Sequence, residues 1–507
     1  MEQLELREEV GEGIFFQYVN SFTSVLAGFI FYIYIIHFYS SELVGTVALL
    51  LAITSLLGFV FSLGLGSGLQ HFISYHLGRM EYSFIKGITT KFSAIGLGLA
   101  ILSMLFLYFS APIFASLFFH SAKYIPLVKF LGIDLFFILM SMFLSGIVFG
   151  FQNFKSQAIW SLVGIVVTYL LPVILLHFSN NVVLIILGWA SGFALSSVAY
   201  SILIFKKMRK LPPKTEKISI SPVLKYSLPL FLASVVGYGA SYVDRFIVSY
   251  FTNLSLLGVY NFALLISTAT SFLISPFGNI LLPKLSEMYG AGRRDEMKEY
   301  ISKGIELIST IYVPVSMLIA ALSSYILLFL SNGEYLSASV PMIIILIFSS
   351  LFIAGNILTV AIQSIRKTRI FLVITSIALL SNFVISVILI PKYQMIGASM
   401  GYSSLSVVSF AILYYYARKF EILKFERTKI AKIYLSAFLM FLVINTLQRM
   451  LPYSPLKLLL FIIVGFAIYL GMVKVLKTFN KSDLEFIMSL IPWWLQKIKG
   501  VISVLLL

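Results

Sequence analysis

Residues 43–69 read LVGTVALLLAITSLLGFVFSLGLGSGL, and this stretch contains no charged side chain. About 20 apolar residues are enough for a helix to cross the hydrocarbon core of a bilayer. Similar stretches recur along the whole chain, which is 60% hydrophobic and only 11% charged over 507 residues. A soluble domain carries about 25% charged residues, so this chain lacks the polar surface that a water-soluble protein needs. The sequence therefore predicts an all-α polytopic membrane protein.

Apolar runs that are interrupted by glycine, proline and charged residues predict about fourteen transmembrane helices. The predicted spans are 14–38, 42–69, 87–110, 124–150, 157–177, 182–205, 223–250, 256–282, 300–330, 336–362, 368–390, 396–417, 429–448 and 456–476. After the last span, residues 481–500 mix Trp493 and Trp494 with lysines. This mixture predicts an amphipathic helix that lies in the membrane interface.

Lysine and arginine are concentrated in alternate loops. The richest loop joins spans six and seven and holds Lys206, Lys207, Arg209, Lys210, Lys214, Lys217 and Lys225. Cytoplasmic loops of membrane proteins carry such an excess of positive charge. The pattern therefore predicts that both termini lie in the cytoplasm. Because the net charge of +17 lies in these loops and not in a separate basic domain, we expect no nucleic-acid partner.

Motifs of the first half recur about 209–213 positions later. Leu43-Val44-Gly45 matches Leu256-Leu257-Gly258, and the segment 188–192 resembles the segment 397–401. Because each repeat holds six spans, both halves cross the membrane in the same sense, as in transporters built from parallel repeats. This predicts two six-helix lobes, two C-terminal helices and a cytoplasmic tail. The predicted boundaries are 1-205 for the first lobe, 206-222 for a basic linker, 223-418 for the second lobe and 419-507 for the two further helices and the tail.

Several short motifs follow one another in the second half of the chain. They are Tyr226-Ser-Leu-Pro-Leu230, Tyr242-Val-Asp244-Arg245-Phe-Ile-Val248, Leu257-Gly-Val-Tyr260-Asn261, Leu282-Pro-Lys-Leu-Ser-Glu287 and Ile390-Pro-Lys-Tyr393. This ordered set resembles the Wzx-type polysaccharide flippases of the multidrug/oligosaccharidyl-lipid/polysaccharide (MOP) exporter superfamily. The resemblance covers roughly residues 14–418.

The resemblance implies a MATE-like two-lobe fold in a prokaryotic cytoplasmic membrane. It also implies translocation of a polyprenyl- or dolichyl-diphosphate-linked oligosaccharide to the outer leaflet by alternating access. The implied partners are this lipid-linked oligosaccharide, the membrane lipid and glycan-assembly enzymes, and no cofactor is implied.

Charged residues inside the spans are the first candidates for a site, because ionisable groups there usually face a cavity or a partner. Arg245 in span seven is the candidate for binding the diphosphate, and Asp244 is the candidate for a coupling ion or an interlobe contact. Since adjacent residues on a helix do not face each other, we expect the two to have different partners. A structural ion pair is the alternative. Asp134 in span four is a second candidate for ion coupling or an interlobe contact, with a fixed structural pair as the alternative.

Uncharged polar and aromatic residues are candidates for binding the sugars. Gln17 and Asn20 lie in span one, although such amides also hold transmembrane helices together. Tyr238 and Tyr242 are candidates for stacking against sugar rings. The alternative is that they belong to the interfacial aromatic belt. We expect no metal site, because the chain has no cysteine and its histidines show no metal-binding spacing.

Three further charged residues lie near the cytoplasmic ends of spans: Lys91, Lys284 and Glu306. Lys91 and Lys284 are candidates for guiding the headgroup as it enters the protein. The alternative for all three is an ordinary flanking charge that reaches the interface.

Three classes of function remain open on the sequence alone. A flippase for lipid-linked glycans is the first. A cation-coupled multidrug or metabolite antiporter of the same superfamily is the second, and it would favour acidic residues in its cleft. A membrane glycosyltransferase or polymerase would need carboxylates and sizeable outer loops, whereas the predicted outer loops 38–42 and 179–181 are very short. The sequence therefore favours a transporter over an enzyme.

Overall fold

The computed structural model describes residues 2–179, 181–212, 221–331, 333–365, 367, 369–424 and 426–479. Across these ranges the secondary structure is helical, as expected for an apolar chain whose backbone groups must be satisfied within each segment. The α-helices are α1 (Glu2–Phe38), α2 (Ser41–Ser62), α3 (Leu65–Gly78), α4 (Tyr82–Phe118), α5 (Ile125–Gly150), α6 (Phe154–Phe178), α7 (Val183–Met208), α8 (Ser221–Phe251), α9 (Leu254–Ala269), α10 (Ser275–Gly290), α11 (Arg294–Ala321), α12 (Ser323–Ser331), α13 (Ser339–Leu351), α14 (Ala354–Ser364), α15 (Arg369–Lys419), α16 (Arg427–Met450) and α17 (Pro455–Val475). The predicted all-α polytopic fold is confirmed.

Eleven of the described helices are long and apolar enough to cross a membrane, or twelve spans if the bent pair α13 and α14 forms one of them. The predicted count of fourteen is therefore not confirmed. One difference lies in α15, whose 51 residues would be about 76 Å long, more than twice the thickness of a hydrocarbon core. Its helix is interrupted at Gln394, where φ is 48° and ψ is −122°. This interruption falls between the spans predicted at 368–390 and 396–417.

Packing divides the chain into two compact units, Met1–Gly258 and Val259–Leu507. In the first unit α5 is central and packs against α2, α3, α4 and α7, and α6 packs against α1 and α7. Helix α8 also contacts α2, α3 and α4. The lobe boundaries inferred from the repeat follow sequence similarity and not packing, and they stay predictions. Within the predicted linker, residues 213–220 lie outside the described residues, as does the predicted amphipathic tail from 480 onward.

In the second unit α11 is the central helix and packs against α10, α13, α14 and α16. Buried Ile301 and Ile305 of α11 share a hydrophobic core with Ile357 of α14 and Met440 of α16. Tyr469 of α17 donates its hydroxyl to the carbonyl oxygen of Thr310 at 3.2 Å. The two last helices are thereby attached to the core of this unit.

A cluster of charged side chains joins α11 to the start of α16. The carboxylate of Glu306 lies 3.0 Å from Lys429 Nζ and 3.6 Å from Lys303 Nζ. Lys429 also lies 3.2 Å from the carboxylate of Glu426. Glu306 and Lys429 are both buried. Glu306 is thus a buried partner in an ion-pair cluster and not a flanking charge that reaches the interface.

A similar close approach of two helices occurs in both units. A Cβ atom at Gly192 of α7 would lie 2.0 Å from Thr168 Oγ1 of α6. A Cβ atom at Gly401 would lie 2.1 Å from Ser386 Oγ, in the other half of α15. Small residues let transmembrane helices approach in this way. Both glycines belong to the matched segments 188–192 and 397–401, so each of these segments contains a close approach of two helices.

Candidate functional site

Three sequence-predicted site residues lie on one face of α8 in the first unit. Tyr238, Tyr242 and Arg245 are spaced by four and three residues, which puts them on successive turns. The guanidinium of Arg245 lies over the ring of Tyr242, 4.7 Å from its centroid. Its Nη1 donates to the carbonyl oxygen of Ser241 at 2.5 Å, and its side chain is only 14% exposed. The guanidinium of Arg245 is therefore held against α8, largely shielded from solvent.

The neighbouring Asp244 is completely buried and lies 3.8 Å from Arg245 Nη1. The structure brings these adjacent residues into contact, and Arg245 also donates to the carbonyl oxygen of Ser241. The reason is the length of the arginine side chain, which folds back along its own helix towards Ser241. At 3.8 Å the pair is an electrostatic contact and not the two-fold hydrogen bonding that arginine and carboxylates make in their strongest pairs.

Aromatic side chains surround this part of α8. The ring of Tyr238 stacks on Phe59 of α2 with 3.5 Å between centroids and 18° between planes. Tyr169 of α6 lies close enough to Tyr242 for an electrostatic interaction between them. The surroundings of Arg245 therefore combine aromatic rings with the buried carboxylate of Asp244, and an anionic ligand would compete with that carboxylate for the guanidinium.

Asp134 is buried on the central helix α5, with 1% of its surface exposed. Among the described residues it forms no ion pair, and its Oδ1 has no hydrogen-bond partner. Lys129, one turn away, lies over the ring of Tyr108 instead, 4.4 Å from its centroid. The described part of the chain therefore does not show Asp134 in a fixed ion pair, which was the alternative.

The remaining sequence candidates are more dispersed. Asn20 donates from Nδ2 to the carbonyl oxygen of Ala158 at 3.0 Å, which joins α1 to α6. Gln17 lies on α1, and its side chain is outside the described residues. Lys91 is half-buried on α4. Their proposed roles in binding stay predictions.

Lys284 is exposed and paired. Its Nζ lies 3.2 Å from the carboxylate of Glu287, which also lies 2.7 Å from Arg293. The hydrogen bond from Lys284, together with Arg293, holds the pKa of the Glu287 carboxyl below its usual value. A headgroup bound at Lys284 would therefore compete with Glu287.

Sequence reasoning missed a cavity of about 420 Å³ in the second unit. It lies among α9, α11, α13, α14 and the second half of α15, and all eighteen lining residues are described and uncharged. Most of its polar groups are hydroxyls, and Phe352 and Phe410 form part of the wall. A signal was present in the sequence, because Tyr402, Ser406 and Ser409 recur with the spacing of one helix face.

The chain matches the family model of polysaccharide biosynthesis proteins over residues 38–341, which is more than half of its length. An uncharacterised membrane protein of Methanocaldococcus jannaschii is 25% identical over 266 residues, 51% of this chain and 52% of that protein. The probable low-salt glycan biosynthesis flippase Agl15 of Haloferax volcanii is 21% identical over 271 residues, 53% of this chain and 57% of that protein. The capsular polysaccharide biosynthesis protein CapF of Staphylococcus aureus is 23% identical over 275 residues, 52% of this chain and 66% of that protein. The matches thus span between about half and two thirds of these relatives.

Two solved structures share the fold. The lipid II flippase MurJ in an inward closed conformation has a TM-score of 0.73 at 19% identity, covering 91% of this chain and 98% of that chain. An inward-facing multidrug resistance MATE family transporter of the MOP superfamily has a TM-score of 0.69 at 14% identity, covering 79% of this chain and 94% of that chain. The MATE-like fold implied by the sequence motifs is confirmed. By its match over residues 38–341, the chain belongs to the polysaccharide biosynthesis protein family, whose fold here is that of the MOP superfamily.

Proposed function

We propose that this protein is a flippase that moves a polyprenyl- or dolichyl-diphosphate-linked oligosaccharide across the prokaryotic cytoplasmic membrane. The glycan would then be available for the assembly of a surface polysaccharide or glycoprotein. The observation that carries the proposal is Arg245, a guanidinium held among aromatic rings inside an apolar helix. Family membership and the flippases among the similar proteins support the same function.

The chemistry of such a substrate explains the need for a protein site. A diphosphate in hydrocarbon without a partner is very unfavourable, because its hydration is lost. Arginine is suited to this group, since its planar donors match two phosphate oxygens at once. The isoprenoid tail needs no such partner and stays in the lipid.

The direction and mechanism belong to the same proposal. We propose that both termini are cytoplasmic, because the basic loops follow the positive-inside pattern. We propose transport by alternating access of the two predicted lobes, with glycan-assembly enzymes supplying and consuming the substrate. Asp134 and Asp244 are the proposed groups for ion coupling or interlobe contact.

A leaflet assay tests the function directly. The purified protein is placed in liposomes that carry a labelled polyprenyl-diphosphate oligosaccharide, and exposure of the sugar on the opposite face is followed with time. We expect exposure that depends on the protein. Export of small organic cations under a proton or sodium gradient, without movement of the glycan, would establish the antiporter instead.

A further inference from the structure

We infer that the cavity of the second unit is a subsite for an uncharged sugar residue of the transported glycan. This inference rests on the proposed function and names the part of the substrate that this cavity would hold. It is carried by polar atoms that line the cavity and have no hydrogen-bond partner among the described residues.

Two of these groups lie on α9 and α14. Ser267 is buried, and its Oγ has no hydrogen-bond partner in the described part of the chain. Asn356 donates from Nδ2 to the carbonyl oxygen of Ile353 at 3.3 Å, and no described residue bonds to its Oδ1. A buried hydroxyl without a hydrogen-bond partner is unfavourable, so we expect a ligand or a water molecule to supply the missing hydrogen bond.

The other two groups lie on the second half of α15. Ser406 and Ser409 line the cavity, and neither forms a hydrogen bond to a described residue. Their spacing of three residues puts them on the same face. By contrast, the buried Ser404 on this helix donates to the carbonyl oxygen of Gly401 at 2.6 Å. Among the described residues, the cavity therefore brings together hydroxyls that lack a protein partner.

The wall of the cavity is fixed by neighbouring contacts. The hydroxyl of Tyr312 lies 3.1 Å from Ser349 Oγ and 3.0 Å from Thr270 Oγ1, which links α11 to α13 and to the turn after α9. Phe352 and Phe410 lie 5.3 Å apart between ring centroids. Sugars combine hydroxyls, which both donate and accept, with apolar ring faces that pack on aromatic side chains. The cavity presents both kinds of partner.

The absence of charged side chains among the described lining residues favours a neutral sugar over a charged one. None of the eighteen described lining residues is acidic or basic. A uronic acid or a phosphorylated sugar would bring a charge into this cavity without a counter-charge, which is costly. A neutral hexose or N-acetylhexosamine would exchange hydrogen bonds with water for hydrogen bonds with Ser267, Asn356 and the two serines of α15.

Protection of a single thiol tests the subsite without requiring transport. The chain has no cysteine, so Ser409→Cys provides the only thiol, and its rate of reaction with N-ethylmaleimide is measured in detergent. We expect maltotetraose to slow the reaction about fivefold or more and tetragalacturonate to leave it unchanged. Ala411→Cys is the matched control, because Ala411 is exposed on the same helix and does not line the cavity.

Equal protection by both oligosaccharides, or protection by neither, would overturn the inference. The double variant Ser406→Ala/Ser409→Ala should also slow the flipping of a neutral glycan about tenfold, as expected for two lost hydrogen bonds. Ser404→Ala is its control and should flip at the wild-type rate. Selective protection of the thiol in a protein that flips no lipid-linked glycan would refute the proposed function and leave the subsite standing.

Discussion

At the scale of single residues, Arg245 is the most direct test of the binding site. We expect Arg245→Ala to lower the rate of glycan flipping at least tenfold, because a hydrogen bond to a charged group contributes about 1.5–3 kcal/mol. Arg245→Lys should retain part of the rate, since it keeps the charge and loses the planar pair of donors. The rates are measured in liposomes at equal protein content.

The control for Arg245 is Arg79→Ala. Arg79 is exposed and lies 2.9 Å from the carboxylate of Glu81 in the short turn between α3 and α4. Its loss should not change the rate. Wild-type flipping by Arg245→Ala, with the protein folded, would remove Arg245 from the proposed site.

We expect Asp134 to couple transport to protons and not to bind the glycan. Its carboxyl group is buried on α5 without an ion pair in the described part of the chain. Asp134→Asn keeps the size of the side chain and removes the proton that the group would carry. We expect this variant to flip glycan with a rate that no longer depends on pH. The rate is measured in liposomes from pH 6 to pH 8.

The matched control for Asp134 is Asp295→Asn, an exposed residue paired with Lys298 at 3.2 Å. This variant should keep the pH dependence of the wild type. If Asp134→Asn keeps it as well, Asp134 has no part in proton coupling.

The sequence pointed to the charged candidates and not to the cavity. An arginine or aspartate in an apolar run stands out because it is rare there. A serine does not stand out, because most serines in such helices bond to their own backbone, as Ser404 does. Which serines remain unpaired depends on how α9, α14 and α15 are rotated against one another. The spacing of Tyr402, Ser406 and Ser409 indicates a shared helix face, but whether their hydroxyls are paired depends on tertiary packing.

At the scale of helices, the pair Glu306 and Lys429 joins α11 to α16. We expect Glu306→Gln to destabilise the protein by about 1.5–3 kcal/mol, because it removes the buried one of the two carboxylates that pair with Lys429, while Glu426 remains. The double variant Glu306→Gln/Lys429→Met should recover much of this loss. Thermal unfolding in detergent measures both. Independent effects in the double-mutant cycle would show that the two side chains do not interact.

Gly192 is one of the close points of the contact between α6 and α7. We expect Gly192→Val to lower the melting temperature markedly, because overpacking a filled interface costs about 1–3 kcal/mol. Gly98→Val is the control, since a Cβ atom at Gly98 of α4 has no neighbour within 4 Å. Equal melting temperatures for the two variants would contradict the close packing of α6 on α7.

Helix positions were predictable, and so was the break at Gln394, but the break between α2 and α3 was not. The predicted span 42–69 is divided in the structure, because Leu63 and Gly64 have φ values of 49° and 65° and end α2 before α3 begins. The glycines of this segment lie in close contacts, since a Cβ atom at Gly68 would lie 2.0 Å from Ser227 Oγ. A residue within an apolar run adopts a left-handed backbone conformation because of the contacts around it. The hydropathy of the sequence therefore does not predict such a break.

At the scale of the whole molecule, the number of crossings decides the topology. We expect α15 to cross the membrane twice with Gln394 at the outer face. Gln394→Cys in the cysteine-free chain should therefore react with an impermeant maleimide in intact cells. Lys210→Cys and Lys298→Cys should react only after the membrane is opened. Protection of Gln394→Cys in intact cells would exclude the double crossing.

The internal repeat and the packing of the chain describe different things. The repeat predicted two halves that begin near residues 1 and 223, whereas packing divides the chain after Gly258. Helix α8 accounts for the difference, because Tyr238 stacks on Phe59 and Ser249 donates to the carbonyl oxygen of Phe118. Sequence similarity records descent, and it does not fix which unit a helix packs into.

The buried pair of Glu306 and Lys429 also has a consequence for biosynthesis. The two residues are 123 positions apart, so a ribosome working at 5–20 residues per second inserts α11 about 6–25 s before α16 is made. During that interval Glu306 has its neighbour Lys303 but not Lys429, the closer of these two lysines in the finished protein. A chain that stops before α16 never supplies this partner, and we expect membrane quality-control proteases to remove it. The last two helices would therefore determine whether the newly made protein survives.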